Sequence, residues 1–189
     1  KNVLRHPDHL AKVREVCEEA FTELKNDIPE NPLLKPGTDQ IMILDLDASS
    51  RIFYRMDSSY FTNPLQTEFP GAEIIDVGTN ISSGQHSSIL TNAANYDRII
   101  VAGYDWTEIE SGDQVDLIKD LCELDVPVIY VGFGAPYHFT QIPCVDAFFC
   151  GYSSVDAMQE VAADVLLGKI EPGGDLPVTV PGLKINKPH

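Results

Sequence analysis

A chain of 189 residues with 43% hydrophobic content suits one domain with a real core, which argues against wholesale disorder. The formal net charge is −16, from 29 acidic against 13 basic residues, so a nucleic-acid backbone or an anionic membrane surface would be repelled. Apolar runs such as residues 126–131 are far too short to span a bilayer, and no basic stretch followed by an apolar one opens the chain as a secretory signal would.

The first predicted element is a helix. Pro7 suits a first-turn position, and Leu10, Val13, Val16, Cys17, Ala20, Phe21 and Leu24 recur at three and four, the spacing of one helical face. Three prolines between Asp27 and Gly37 then break the pattern. Residues 1–37 read as a helix and linker, and residues 38–182 as an α/β core.

Five short apolar runs follow, at residues 40–46, 72–77, 98–102, 126–133 and 147–150. Their centres are continuous rather than alternating, as in strands covered on both faces. Helical patterns separate them. Val115, Leu117, Ile118, Leu121, Cys122 and Leu124 form one; Val155, Met158, Val161, Ala162, Val165 and Leu166 form another, with Gly168 placed to end it. The intervals after Asp47 and after Gly78 are less periodic and are also read as helical. The expectation is an α/β fold: a three-layer sandwich with a mostly parallel sheet of five or six strands, flavodoxin- or Rossmann-like. Ligands in such folds sit beyond the carboxyl ends of the strands, here residues 45–49, 78–83, 103–112, 133–137 and 151–154.

None of the four cysteines, Cys17, Cys122, Cys144 and Cys150, forms a Cys-x-x-Cys pair or stands at zinc-ligand spacing from a histidine. All four read as buried reduced thiols, which points to a reducing compartment such as the cytoplasm.

Several strand ends carry polar residues of chemical interest. The run 41–49 ends in Asp45-x-Asp47 and resembles the opening motif of haloacid-dehalogenase-type phosphatases, where one carboxylate is the nucleophile, the next an acid/base, and magnesium balances the charge. That family wants Thr or Val at Ser49, a later strand-end Lys and a second acidic pair. Here Asp113 and Asp116 open a helix, and Lys119 and Lys169 are not at strand ends. Asp45 and Asp47 therefore read as turn and cap residues. A phospho-receiver would need Lys where Cys150-Gly151-Tyr152 stands. Gly132-Phe133-Gly134-Ala135-Pro136 is no dinucleotide fingerprint, because Pro136 lacks an amide and no third glycine follows. Ser82, Ser83, Ser87 and Ser88 around His86 read as a polar loop or helix start, and His138 as a surface residue on a short helix. The loop 104–112 is the more suggestive. It holds the sole tryptophan of the chain, Trp106, with Asp105, Glu108 and Glu110. An aromatic ring beside carboxylates is the material of a sugar subsite, with Asp105 and Trp106 as the substrate contacts. The alternative is a loop that packs its Trp on a neighbour and solvates its acids.

The last third carries a family resemblance. Pro127 to Tyr137 reads PVIYVGFGAPY and resembles the strand and turn of the C-terminal domain of family 3 glycoside hydrolases. Asp146 to Ser153 is similar to that domain's next strand. The helix ending at Gly168 and the tail through Gly173-Gly174-Asp175-Leu176-Pro177-Val178 are similar to its ending. At the front, Leu24-Lys25-Asn26-Asp27 with Pro32-Leu33 resembles the segment that leads from the barrel into this domain. The family often has Asn at Ala135 and Arg at Asp175. The resemblance implies an accessory domain whose partner is an N-terminal (β/α)8 barrel holding the nucleophile, in retaining hydrolysis of β-linked N-acetylglucosamine or glucose, with no metal or organic cofactor. In the hexosaminidase branch the acid/base comes from a barrel loop. In the glucosidase branch it is a Glu from this domain, for which Glu108 or Glu110 is the catalytic candidate. A chain of 189 residues has no room for the barrel as well. The competing readings are a magnesium-dependent phosphatase using Asp45 and Asp47, or a non-catalytic interaction module.

Overall fold

Each apolar run becomes a strand, and the polar segments between them return the chain across one face of the sheet or the other. The computed structural model describes residues 6–47 and 57–183. In chain order the elements are α1 (Pro7–Ala20), β1 (Thr22–Asn26), β2 (Ile41–Leu46), α2 (Ser59–Glu68), β3 (Glu73–Val77), α3 (Ser83–Ala93), β4 (Arg98–Gly103), α4 (Gly112–Cys122), β5 (Val128–Gly132), a 3₁₀ turn (Pro136–Thr140), β6 (Ala147–Cys150) and α5 (Asp156–Leu166). Position 49, part of the phosphatase comparison, lies outside the described residues.

The sheet runs β1-β6-β5-β4-β2-β3. Strands β2 to β6 are mutually parallel, and β1 pairs antiparallel with β6. Counted without β1, the parallel order is that of the flavodoxin-like sheet, whose topological switch point falls between β2 and β4. Side chains alternate between two cores with period two. Ile41, Ile43, Ile100, Ile129 and Phe149 face α1, α2 and α5; Met42, Leu44, Val101, Tyr130 and Phe148 face α3 and α4. With both faces covered, the central strands are apolar throughout, the pattern the sequence shows.

Four expectations change. The first helix stops at Ala20, and residues 22–26 of the supposed lead-in form β1. Phe21 and Leu24 fit a helical spacing, but the unpaired edge of β6 takes this segment, with Thr22 opposite Cys150 and Asn26 opposite Ala147. On α1 itself the stripe is only partly covered: Cys17 is buried, whereas Leu10, Val13 and Val16 are 51%, 45% and 52% exposed. His138 is fully buried rather than a surface residue. It shares a 2.8 Å hydrogen bond with the Tyr130 hydroxyl, and burial pushes its pKa down to about 4. Finally, Cys122 and Cys144 are a disulfide, with Cα atoms 6.0 Å apart. Adjacent elements bring together cysteines that stand 22 residues apart. Only Cys17 and Cys150 remain as buried free thiols. The argument for a reducing compartment, and for the cytoplasm, lapses with the disulfide.

Candidate functional site

The switch point has two lips, the end of β2 and the loop after β4. The second lip is a frame of hydrogen bonds. Tyr104 is buried and stacks on Phe133 with ring centres 5.0 Å apart. Asp105 is 3% exposed, and its carboxylate accepts the Glu110 amide at 2.9 Å. The Trp106 carbonyl accepts the Ala135 amide at 2.9 Å. Gln141 grips Ile109 at both backbone groups: its Oε1 accepts the Ile109 amide at 2.7 Å, and its Nε2 donates to the Ile109 carbonyl at 3.0 Å. The Ser111 hydroxyl donates to the Thr79 carbonyl at 2.6 Å, and its oxygen also accepts the Gln114 amide to cap α4.

The turn after β5 is shaped to this loop. A Cβ on Gly134 would collide with the carbonyl oxygen of Asp105 and come within 3.3 Å of the Trp106 Cα. The glycine is thus required by a close approach of two backbones. The frame leaves Trp106 76% exposed, with Thr107, Glu108 and Glu110 also at the surface. Of the four residues singled out for this loop, three face solvent together. The fourth, Asp105, is buried, and its carboxylate accepts the Glu110 amide.

The first lip is different. Asp45 is partly buried and accepts a hydrogen bond from the Ser58 hydroxyl, with the buried Tyr104 hydroxyl beside it. Burial pushes its carboxyl up from the ordinary range, the Ser58 bond pulls it back in part, and Asp76 adds to the rise. Beside it, burial and then the Asp45 charge push the Tyr104 hydroxyl well above its usual value. Asp47 is tied through its backbone: its amide donates to the Val77 carbonyl at 2.8 Å, and its carbonyl accepts Gln114 Nε2 at 3.0 Å. A phosphatase nucleophile must be ionised and reachable by substrate, whereas Asp45 is partly buried and its carboxyl is pushed toward the protonated form. Among the described residues no group of three or more His, Cys, Asp or Glu side chains is placed to hold a metal ion. The phosphatase reading is not favoured.

Gln141 and Gln114 are the functional-frame residues that sequence reasoning passes over. Nothing in the sequence around either glutamine announces a backbone clamp. The serine-rich stretch behaves as read: Ser82 caps α3 by accepting the Gln85 amide, and His86 pairs with Asp120 at 2.9 Å. Among the described residues no helix is long and apolar enough to cross a membrane.

No family model matches the chain. A fungal multi-domain family 3 β-N-acetylglucosaminidase superposes with a TM-score of 0.78 at 18% identity, covering 94% of this chain and 20% of that one. A family 3 β-N-acetylglucosaminidase from Paenibacillus superposes with a TM-score of 0.75 at 20% identity, covering 94% of this chain and 34% of that one. The fold is one found within family 3 glycoside hydrolases. In sequence, a β-N-acetylglucosaminidase/β-glucosidase from Cellulomonas fimi is 24% identical over 93% of this chain and 33% of its own length. These proteins are of the kind that the motifs in the last third resemble. The chain spans no more than 33% of the length of the curated relatives it matches.

Proposed function

We propose that this chain is an accessory α/β domain of a family 3 glycoside hydrolase. It buttresses a catalytic (β/α)8 barrel and walls one side of a cleft for β-linked N-acetylglucosamine or glucose. The observation that carries this reading is the fold match, which takes in 94% of this chain but only 20% and 34% of the two enzymes. Retaining hydrolysis sets two catalytic groups across one glycosidic bond, and the loop after β4 presents its acids Glu108 and Glu110 at the surface. Trp106 is the stacking platform, held by a frame that spares it the ordering cost of a mobile loop. Glu108 or Glu110 is the proton donor if the parent works as the glucosidase branch does; otherwise the loop is wall alone. No metal or organic cofactor enters this reading.

The test has two parts. The isolated chain leaves nitrophenyl β-N-acetylglucosaminide and β-glucoside at background. Turnover that a point change within the chain abolishes overturns the proposal, and magnesium-dependent turnover of nitrophenyl phosphate favours the phosphatase instead. In the intact enzyme, Trp106→Ala raises KM. Glu108→Gln or Glu110→Gln lowers kcat by about a hundredfold on a poor leaving group and much less on a good one if that residue is the acid. Normal KM and kcat in all three variants remove the loop from the cleft.

A further inference from the structure

The disulfide closes a circuit around the loop that carries Trp106. The loop after β4 runs into α4 at Gly112, and α4 ends at Cys122. Cys122 is bonded to Cys144, which lies just beyond Gln141, and Gln141 grips both backbone groups of Ile109 in the loop. The path thus runs from Ile109 along α4, across the two sulfurs, and back through the Gln141 clamp to Ile109. The chain between the two cysteines also holds the other backbone partners of this loop and its root. The Phe133 amide donates to the Gly103 carbonyl at 2.8 Å, and the Ala135 amide to the Trp106 carbonyl at 2.9 Å. The two sulfurs differ in access: Cys144 is exposed and Cys122 half-buried. The free thiols of Cys17 and Cys150 are buried. Burial pushes the Cys17 thiol up and the Cys150 thiol up to about 12, so neither supplies a thiolate that would exchange with the disulfide.

Resting on the function proposed above, we infer that the Cys122–Cys144 disulfide is a redox tether for the Trp106 loop: oxidised, it keeps the Gln141 clamp closed on Ile109, and a dithiol reductant releases it. One thiolate of the reductant attacks Sγ of Cys144, the exposed end. The S–S bond breaks, its electron pair leaves on Cys122, and that sulfur takes up a proton. The second thiol of the reductant then displaces Cys144 from the mixed disulfide. Two electrons have passed to the protein, Cys122 and Cys144 are thiols, and the reductant leaves as a disulfide. With the sulfurs parted, noncovalent contacts alone hold the Gln141 end of the circuit, and the loop opens more often. A Trp106 platform that must be ordered at each binding event costs affinity, so sugar binding at this lip weakens in the reduced form. Strands β4 and β5 keep their own ladder and do not rely on the tether.

Trp106 is the sole tryptophan, so its fluorescence reports on this loop in the 189-residue chain itself. Dithiothreitol added to the folded chain releases the Cys122 and Cys144 thiols to a maleimide label and lowers the fluorescence anisotropy of Trp106. Amide exchange at Ile109 speeds up by about tenfold or more while β4 and β5 stay protected. Reoxidation reverses both changes. Cys122→Ser/Cys144→Ser shows the reduced values from the start and does not respond to dithiothreitol; reduction of the folded parent decides the matter even where that variant fails to fold. Unchanged anisotropy and Ile109 exchange after full reduction overturn the inference, because the disulfide is then a staple without a role in the loop. So does a disulfide that the folded chain shields from dithiothreitol, and so does an equal loss of protection across the whole sheet. In the intact enzyme, reduction raises KM by about threefold or more. An intact enzyme without glycosidase activity sinks the proposed function, whereas anisotropy and exchange in this chain decide the tether without any turnover.

Discussion

The two lips of the switch point carry the same residue type and treat it in opposite ways. At the end of β2, Asp45 turns partly inward, bonds Ser58 and has its carboxyl pushed up by burial. Across from it, the loop after β4 buries one acid, Asp105, against the Glu110 amide and holds Glu108, Glu110 and Trp106 at the surface. The lip with the sharper sequence motif is the one whose acid turns partly inward. An acidic strand end becomes a candidate site only when other groups satisfy the backbone around it, so that the acids are free to face outward.

The largest expected effect comes from removing the space that the open lip needs. Gly134→Val drives a side chain into the Asp105 carbonyl, and the overpacking costs about 3 kcal/mol in urea denaturation. An unchanged midpoint would show that the two backbones do not meet as described. Next is the clamp. Gln141→Leu strips both partners from the Ile109 backbone and costs about 2 kcal/mol, because a buried amide and carbonyl are left unpaired. Amide exchange at Ile109 then rises while β4 stays protected. Uniform loss across the sheet would mean that the clamp supports the whole fold and not the loop alone.

The smallest effect sharpens the picture at the end of β2 and depends on pH. Asp45 has its folded pKa above its unfolded one, so the folded state holds the proton more tightly. Stability from this group is therefore greatest below the ordinary aspartate range, near pH 4, and is lost as pH rises through the raised folded value. Asp45→Asn removes that loss: the variant and the parent should match in acid, and the variant should be the more stable at neutral pH. A variant less stable at pH 7 than at pH 4, relative to the parent, would mean that the Asp45 carboxylate is welcomed in the fold, and the contrast between the lips would fail.

What the sequence determined by itself is what periodicity and apolar continuity can report. Runs such as Ile41-Met42-Ile43-Leu44 and Val128-Ile129-Tyr130-Val131 need cover on both faces wherever they sit, so a parallel sheet between helices was legible, and so was Gly168 as the end of α5. The turn Gly132 to Tyr137 was legible as a motif, but the reason for Gly134, a carbonyl from a loop 29 positions earlier (134 − 105), was not. Tertiary structure alone decided that residues 22–26 leave the helical register for the edge of β6, that Cys122 meets Cys144, that His138 is buried, and that half of the α1 stripe stays bare. The physical reason is common to all four. A local pattern states which side chains are apolar and which backbone groups need partners, but the partner comes from elsewhere in the chain, or from beyond it, and only the packed arrangement shows which one arrives.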